Sequence, residues 1–120
     1  MLHHISLEIP PADAARGAEF WSALGFERIE APPAIAGYAI WFERAGTQVH
    51  LIPTPEATVP ALGHAAVVAP DFGRTVARLR EAGFDVEDAR ELWGQPRAFA
   101  TAPGGHRVEL MAAPPAGAER

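Results

Sequence analysis

The first ten residues alternate. Ile5, Leu7 and Ile9 fall on one side of an extended segment and His4, Ser6 and Glu8 on the other, which predicts a strand with one core face. The next stretch, PADAARGAEFWSALGF, changes period. Ala14, Ala18, Trp21 and Leu24 lie along one stripe, Asp13 stands at its start and Gly25 where a helix would stop. FERIEA predicts a short strand, and Pro32 and Pro33 a loop. YAIWFER and TQVHLIP predict a hairpin turned at Ala45 and Gly46. TPEATVPALG, with Pro55 and Pro60, predicts a linker.

The order then repeats. GHAAVVAP predicts a strand. DFGRTVARLREAGF predicts a helix with Asp71 near its start, Val76 and Leu79 on its apolar side and Gly83 at its end. DVEDAREL gives a short strand and loop; RAFATA and HRVELMA give a second hairpin turned at PGG. His4 to His64 is an offset of 60, Gly25 to Gly83 of 58 and His50 to Glu109 of 59. Three landmarks in common register argue for a duplicated unit. The predicted fold class is α+β, with two β-α-β-β-β modules forming a curved, partly open mixed sheet. A single domain is expected over 1–113, with modules at about 1–54 and 62–113, a linker at about 55–61 and a disordered tail at 114–120.

Composition narrows the chemistry. The 120 residues include no cysteine and no lysine, which removes thiol nucleophiles, thiolate metal sites and Schiff-base catalysis. Neither serine, Ser6 or Ser22, sits in a nucleophile-elbow motif. The net charge of −5 and the lack of a basic patch argue against nucleic acid. No apolar run approaches the length of a membrane span, and no secretory pattern opens the sequence, so a cytoplasmic location without membrane partners is expected. Histidine, carboxylate and arginine remain.

These residues are not scattered along the strands. His50 lies between Val49 and Leu51, and Glu109 between Val108 and Leu110, each on the last strand of a module and on the face away from the core. His4 and His64 stand near the start of the first strand of each module. If the modules pair through their first and last strands, three imidazoles and one carboxylate converge, a set suited to a divalent metal. His3 is one residue out of phase and is expected towards the helix side or solvent. His106, in the turn before the last strand, is expected to be solvated.

Other residues share the predicted pocket face. Glu8 lies with His4, as a pocket wall or acid/base or facing water in an open trough, and Gln48 lies with His50 at the rim. Arg97 and Phe99 share one face of the seventh strand; Arg97 is placed to clamp a carboxylate or phosphate, or to lie in solvent. Trp93, in a nearby loop, is a candidate cap. Tyr38 and Trp41 fall on opposite faces of the third strand, one towards the pocket and one towards the core.

The segments LHHISLEI, AEFWSALGFE, QVHLI, GHAAVVA and PGGHRVEL, in this order from residue 2 to about 112, resemble the vicinal oxygen chelate superfamily. That group contains glyoxalase I, extradiol dioxygenases, and fosfomycin- and bleomycin-resistance proteins. The resemblance implies metal ligands at His4, His50, His64 and Glu109, holding nickel, zinc, iron, manganese or cobalt. The sequence departs from the family at Ala102, where an aspartate often precedes the Pro-x-Gly turn.

Four protein ligands on an octahedral ion would leave two positions for a chelating substrate, with Glu109 as the catalytic proton carrier. An isomerase or lyase acting on a small oxygen-chelating molecule is the favoured expectation. A set without His50 would resemble a dioxygen-activating iron centre of two histidines and one carboxylate. The alternative is a metal-free small-molecule binder of the bleomycin-resistance type. The resemblance further implies a homodimer.

Overall fold

The computed structural model describes residues 1–115, so most of the expected tail lies outside the described residues. Strand β1 spans His4–Ile9, helix α1 Ala14–Ala23, β2 Glu27–Ile29, β3 Ile40–Arg44 and β4 Thr47–Pro53. The second half follows with β5 Ala65–Val68, helix α2 Phe72–Glu81, β6 Val86–Ala89, β7 Arg97–Thr101 and β8 Arg107–Met111. Two four-stranded sheets result, ordered β1-β4-β3-β2 and β5-β8-β7-β6. In each, the first strand runs parallel to the last and the remaining pairs are antiparallel. The architecture is thus the expected α+β pair of β-α-β-β-β units, open rather than closed. No helix among the described residues is long and apolar enough to cross a membrane.

Local chemistry sets the helix ends. Pro11 opens a 3-10 turn ahead of α1, where its fixed φ suits a helical start. Both helices stop at a glycine of φ +87°, Gly25 and Gly83. Beyond each, the chain bonds back over the last turn, Phe26 N–H to the Trp21 carbonyl and Phe84 N–H to the Leu79 carbonyl, both at 3.0 Å. The two modules therefore use the same C-terminal motif. Asp13 and Asp71 stand at the N-caps, but neither side chain makes a capping bond.

One face of each sheet is covered by its helix. Ile9, Phe42, Val49 and Leu51 pack with Phe20, Trp21 and Leu24; Val86, Ala98, Val108 and Leu110 pack with Val76, Leu79 and Phe84. Gly17 lets α1 approach closely, since a Cβ there would lie 2.8 Å from Ile9 Cδ1. Of the expected stripe, Trp21 and Leu24 are buried and Ala18 packs against the core, and Gly17 and Phe20 join them on the buried side of α1. Phe20 is buried because its ring meets Phe84 of the second module edge-on, at 5.2 Å and 89°.

The modules are joined by contacts that come in reciprocal pairs. Arg16 donates to the Ala82 carbonyl at the end of α2, and Arg78 Nη1 donates to the Ala23 carbonyl at the end of α1, 3.1 Å away. Each helix thus supplies a cation to the negative end of the other. At the sheet edges, His106 Nε2 donates to the Glu8 carbonyl at 2.7 Å, and Arg44 Nη1 to the Val68 carbonyl at 3.2 Å. Glu8 and Val68 are 60 residues apart, the offset of the repeat. A pseudo-twofold axis therefore passes between β1 and β5. The molecule is drawn out, at 45 × 34 × 26 Å with a radius of gyration of 14.7 Å, where about 13.6 Å is usual for this length.

His106 is buried, not solvated as expected, because the turn that carries it is pressed against β1 of the other module. Replacing it should leave the Glu8 carbonyl without its donor. His106→Ala is expected to cost about 1–3 kcal/mol in urea unfolding, whereas Arg44→Ala, the half-buried counterpart, should cost less, about 0.5 kcal/mol.

Candidate metal centre

The face left bare by each helix carries the polar residues. Strand pairing places Ser6, His50 and Trp41 in one row of the first sheet, and Ala66, Glu109 and Phe99 in the equivalent row of the second. His4 and His64 stand two residues before Ser6 and Ala66, and so occupy matching places beside His50 and Glu109.

In the first module β4 lies between β1 and β3, so His50 is flanked by rings on both sides. His4 stacks on it at 4.2 Å and 18°, and Trp41 at 4.0 Å and 5°. Tyr38 stands ahead of β3 and is exposed, so Trp41 takes the pocket side. The hydrogen bonds determine the tautomer of His50. Glu43 is an acceptor when ionised, so the Gln48 amide group faces it, Nε2 to Oε1 at 3.1 Å. The Gln48 oxygen then faces His50 Nε2 at 2.8 Å, and that nitrogen must carry the proton. Nδ1 is left as the bare nitrogen. Burial, with smaller contributions from His4 and His3, holds the His50 pKa below its ordinary value. His3 is exposed and its Nδ1 bonds that of His4 at 2.9 Å.

In the second module the pattern is different. His64 Nδ1 donates to the Leu62 carbonyl at 3.0 Å, and its Nε2 lies 3.1 Å from Glu109 Oε1. Arg97 Nε donates to Glu109 Oε2 at 3.1 Å while Arg97 Nη1 holds the Arg90 carbonyl at 2.9 Å. With Nδ1 protonated, a neutral His64 turns a lone pair towards an acceptor-only carboxylate. Such a pair is stable only with a cation between its members, either a proton or a metal ion. The donor set therefore fits a divalent metal, with Glu109 at 10% side-chain exposure and His64 at 31%.

Within one chain the four expected ligands form two pairs, His4 with His50 and His64 with Glu109. Among the described residues no three His, Cys, Asp or Glu side chains come together to hold a metal. This corrects the expectation that they meet at one point of a single chain. The bonds from His106 to Glu8 and from Arg44 to Val68 make β1 and β5 run past each other in opposite directions, which puts His4 and His64 at opposite ends.

The expected pocket residues also divide. Glu8 Oε1 accepts from the Thr58 N–H at 3.0 Å, tying the linker down. Gln48 and Arg97 hold His50 and Glu109 rather than facing open space. Phe99 meets the His64 ring edge-on at 5.3 Å. Trp93 Nε1 donates to the Ala113 carbonyl at 3.1 Å, with the Arg97 guanidinium 5.6 Å from its ring. Arg107, which the sequence pattern had not singled out, lies with its guanidinium 4.0 Å over Phe99. A cavity of about 380 Å³ opens beside His4, His50 and Trp41, bounded by Ile35, Tyr38 and Ile52.

Comparison with known proteins gives a consistent result. The family model described as Glyoxalase/Bleomycin resistance protein/Dioxygenase superfamily matches residues 1–110. No curated protein sequence matches. Among solved structures, a glyoxalase family protein from Bacillus anthracis is 19% identical, with a TM-score of 0.81 over 92% of this chain and 93% of its own. The fosfomycin resistance protein FosX from Listeria monocytogenes is 17% identical, with a TM-score of 0.75 over 95% and 91%. The bleomycin resistance determinant of transposon Tn5 is 15% identical, with a TM-score of 0.64 over 89% and 94%. At these identities the likeness is one of fold.

The lowered pKa of His50 has a pH signature. Its folded state disfavours the proton, so its contribution to stability is complete above the unfolded value of 6.5 and is lost as pH falls through the lower folded value. Metal-free protein melted from about pH 8 to about pH 5 should lose stability below that point. The His50→Gln variant should lose less over the same range.

Proposed function

Because the chain belongs to the glyoxalase/bleomycin resistance protein/dioxygenase superfamily, we propose that it is a cytoplasmic, divalent-metal-dependent enzyme acting on a small oxygen-chelating molecule. The observation that carries this reading is the His64–Glu109 contact, in which His64 Nε2 and a carboxylate oxygen face each other at 3.1 Å while the Leu62 carbonyl holds the other ring nitrogen. His64 and Glu109 would hold the ion together with His4 and His50 of the first module. Since no single chain gathers these residues, the set is completed in a homodimer, with the first module of one protomer meeting the second module of the other. The pseudo-twofold arrangement supports this, because each chain carries both halves of the set at equivalent places.

When bound, the metal would act as a Lewis acid that stabilises negative charge developing on substrate oxygen. The chain's own residues supply the rest. Arg97 fixes Oε2 of Glu109 and leaves Oε1 facing His64; released from that contact, the carboxylate could accept and return a proton. The Leu62 carbonyl holds His64 with Nε2 presented. The stack with His50 and Trp41 orients His4. This supports isomerase or lyase chemistry, in which a proton moves between neighbouring carbons or oxygens.

A second reading is favoured by one observation. His50 Nε2 is engaged by Gln48 and both ring faces are covered, which supports a three-ligand set of His4, His64 and Glu109 of the kind that activates dioxygen on iron. Loss of metal binding in His50→Ala would support the first reading; retention would support the second.

Equilibrium dialysis of untagged protein with manganese, nickel, zinc or iron(II) should give about one ion per chain. Glu109→Gln should weaken binding by at least about a hundred-fold, and light scattering should show a dimer. Protein that takes up no metal, yet binds small ligands, would replace the enzyme with a sequestering binder of the bleomycin-resistance type.

A further inference from the structure

Two guanidinium groups flank the Phe99 ring on the bare face of the second sheet. Arg97 lies 5.2 Å from the ring centroid and Arg107 4.0 Å. Their surroundings differ. Arg97 is half-buried, and its N–H groups are engaged by Glu109 and by the Arg90 carbonyl. Arg107 is exposed, and among the described residues no carboxylate lies within ion-pair distance of it. Glu87 shares the Phe99 row but sits on the outer strand, and Glu109 is already held by His64 and Arg97. Arg107 therefore leaves one positive charge uncompensated beside the metal half-site.

That charge adjoins a space of suitable size. A cavity of about 350 Å³ between β1 and β5 is lined by Arg107, His64, His106 and Ser6, with Ile5 and Leu7 as apolar wall. Volumes of this order hold small organic ligands. The Phe99 ring supports the guanidinium plane, so the planar fork of donors is left for an anion that accepts at two oxygens. Apolar walls strengthen such a contact over its value in open water.

Resting on the proposed enzymatic reading, we infer that the substrate carries an oxyanion group and that Arg107 anchors it. Arg97, the more obvious clamp from its position in the strand, is instead the residue that positions Glu109. The anchored substrate lies with its anion on Arg107 and its neighbouring oxygens towards His64.

The test uses metal-free full-length protein, so that it does not depend on the metal. Methylphosphonate is titrated and followed by its phosphorus resonance, and neutral hydroxyacetone is titrated in parallel by calorimetry. Wild type should bind the anion more tightly than the neutral compound. Arg107→Gln should weaken methylphosphonate by about ten-fold and leave hydroxyacetone unchanged, while Arg107→Lys should retain part of the affinity. Acetate titrated in the same way should rank the carboxylate against the phosphonate. Equal binding of methylphosphonate by wild type and Arg107→Gln, or no preference for the anion in wild type, would overturn the assignment. Manganese dialysis of the same samples separates the two ideas: a wild type that takes no metal removes the enzymatic reading, while the anion titration still decides the role of Arg107. Circular dichroism melts confirm that each variant is folded.

Discussion

A four-stranded sheet has two faces, and one helix can cover only one of them. That constraint shapes both halves of this chain. Alternation sends Val49 and Leu51 under α1, and Val108 and Leu110 under α2. The residues between them, His50 and Glu109, must then lie on the opposite face. A buried polar side chain there is stable only if its hydrogen bonds are met, and they are: Gln48 serves His50, while His64 and Arg97 serve Glu109. The site is thus what remains of each sheet once its core face has been filled.

Duplication decides how the two faces are arranged. The helices exchange arginine caps, Phe20 meets Phe84, and the edge carbonyls of Glu8 and Val68 are each capped by a side chain from the other module. The arginine caps and the edge-carbonyl bonds each come as a pair about the same axis. The arrangement keeps β1 and β5 antiparallel and so holds the two histidine-bearing strand starts apart. The two half-sites have also diverged: the first is a stack of rings, the second a carboxylate between an imidazole and one arginine.

Much of this was legible in the sequence. The register of His4 with His64, Gly25 with Gly83 and His50 with Glu109 revealed the repeat, and period-two alternation assigned the faces correctly. What alternation cannot supply is distance. It placed four side chains on bare faces without saying how the faces meet, and the single-chain convergence expected of them does not occur. It is also silent outside strands. His106 lies in a turn, where exposure is decided by the neighbouring module, and Tyr38 lies ahead of a strand that begins only at Ile40. Arg107 was not singled out because its distinction is the lack of a carboxylate partner, a property of the fold and not of its neighbours in sequence.

The parallel contact of Trp41 with His50 has a practical side. An indole 4.0 Å from an imidazole loses fluorescence when that imidazole becomes cationic, because the charged ring accepts an excited electron that the neutral ring does not. The chain thus contains its own optical gauge of events at the first half-site. Trp21 is sealed in the core, and Trp93 lies in the other half near Arg97, so neither stands against this imidazole. Light emitted by one residue would report, without any added label, when a proton or an ion reaches its neighbour.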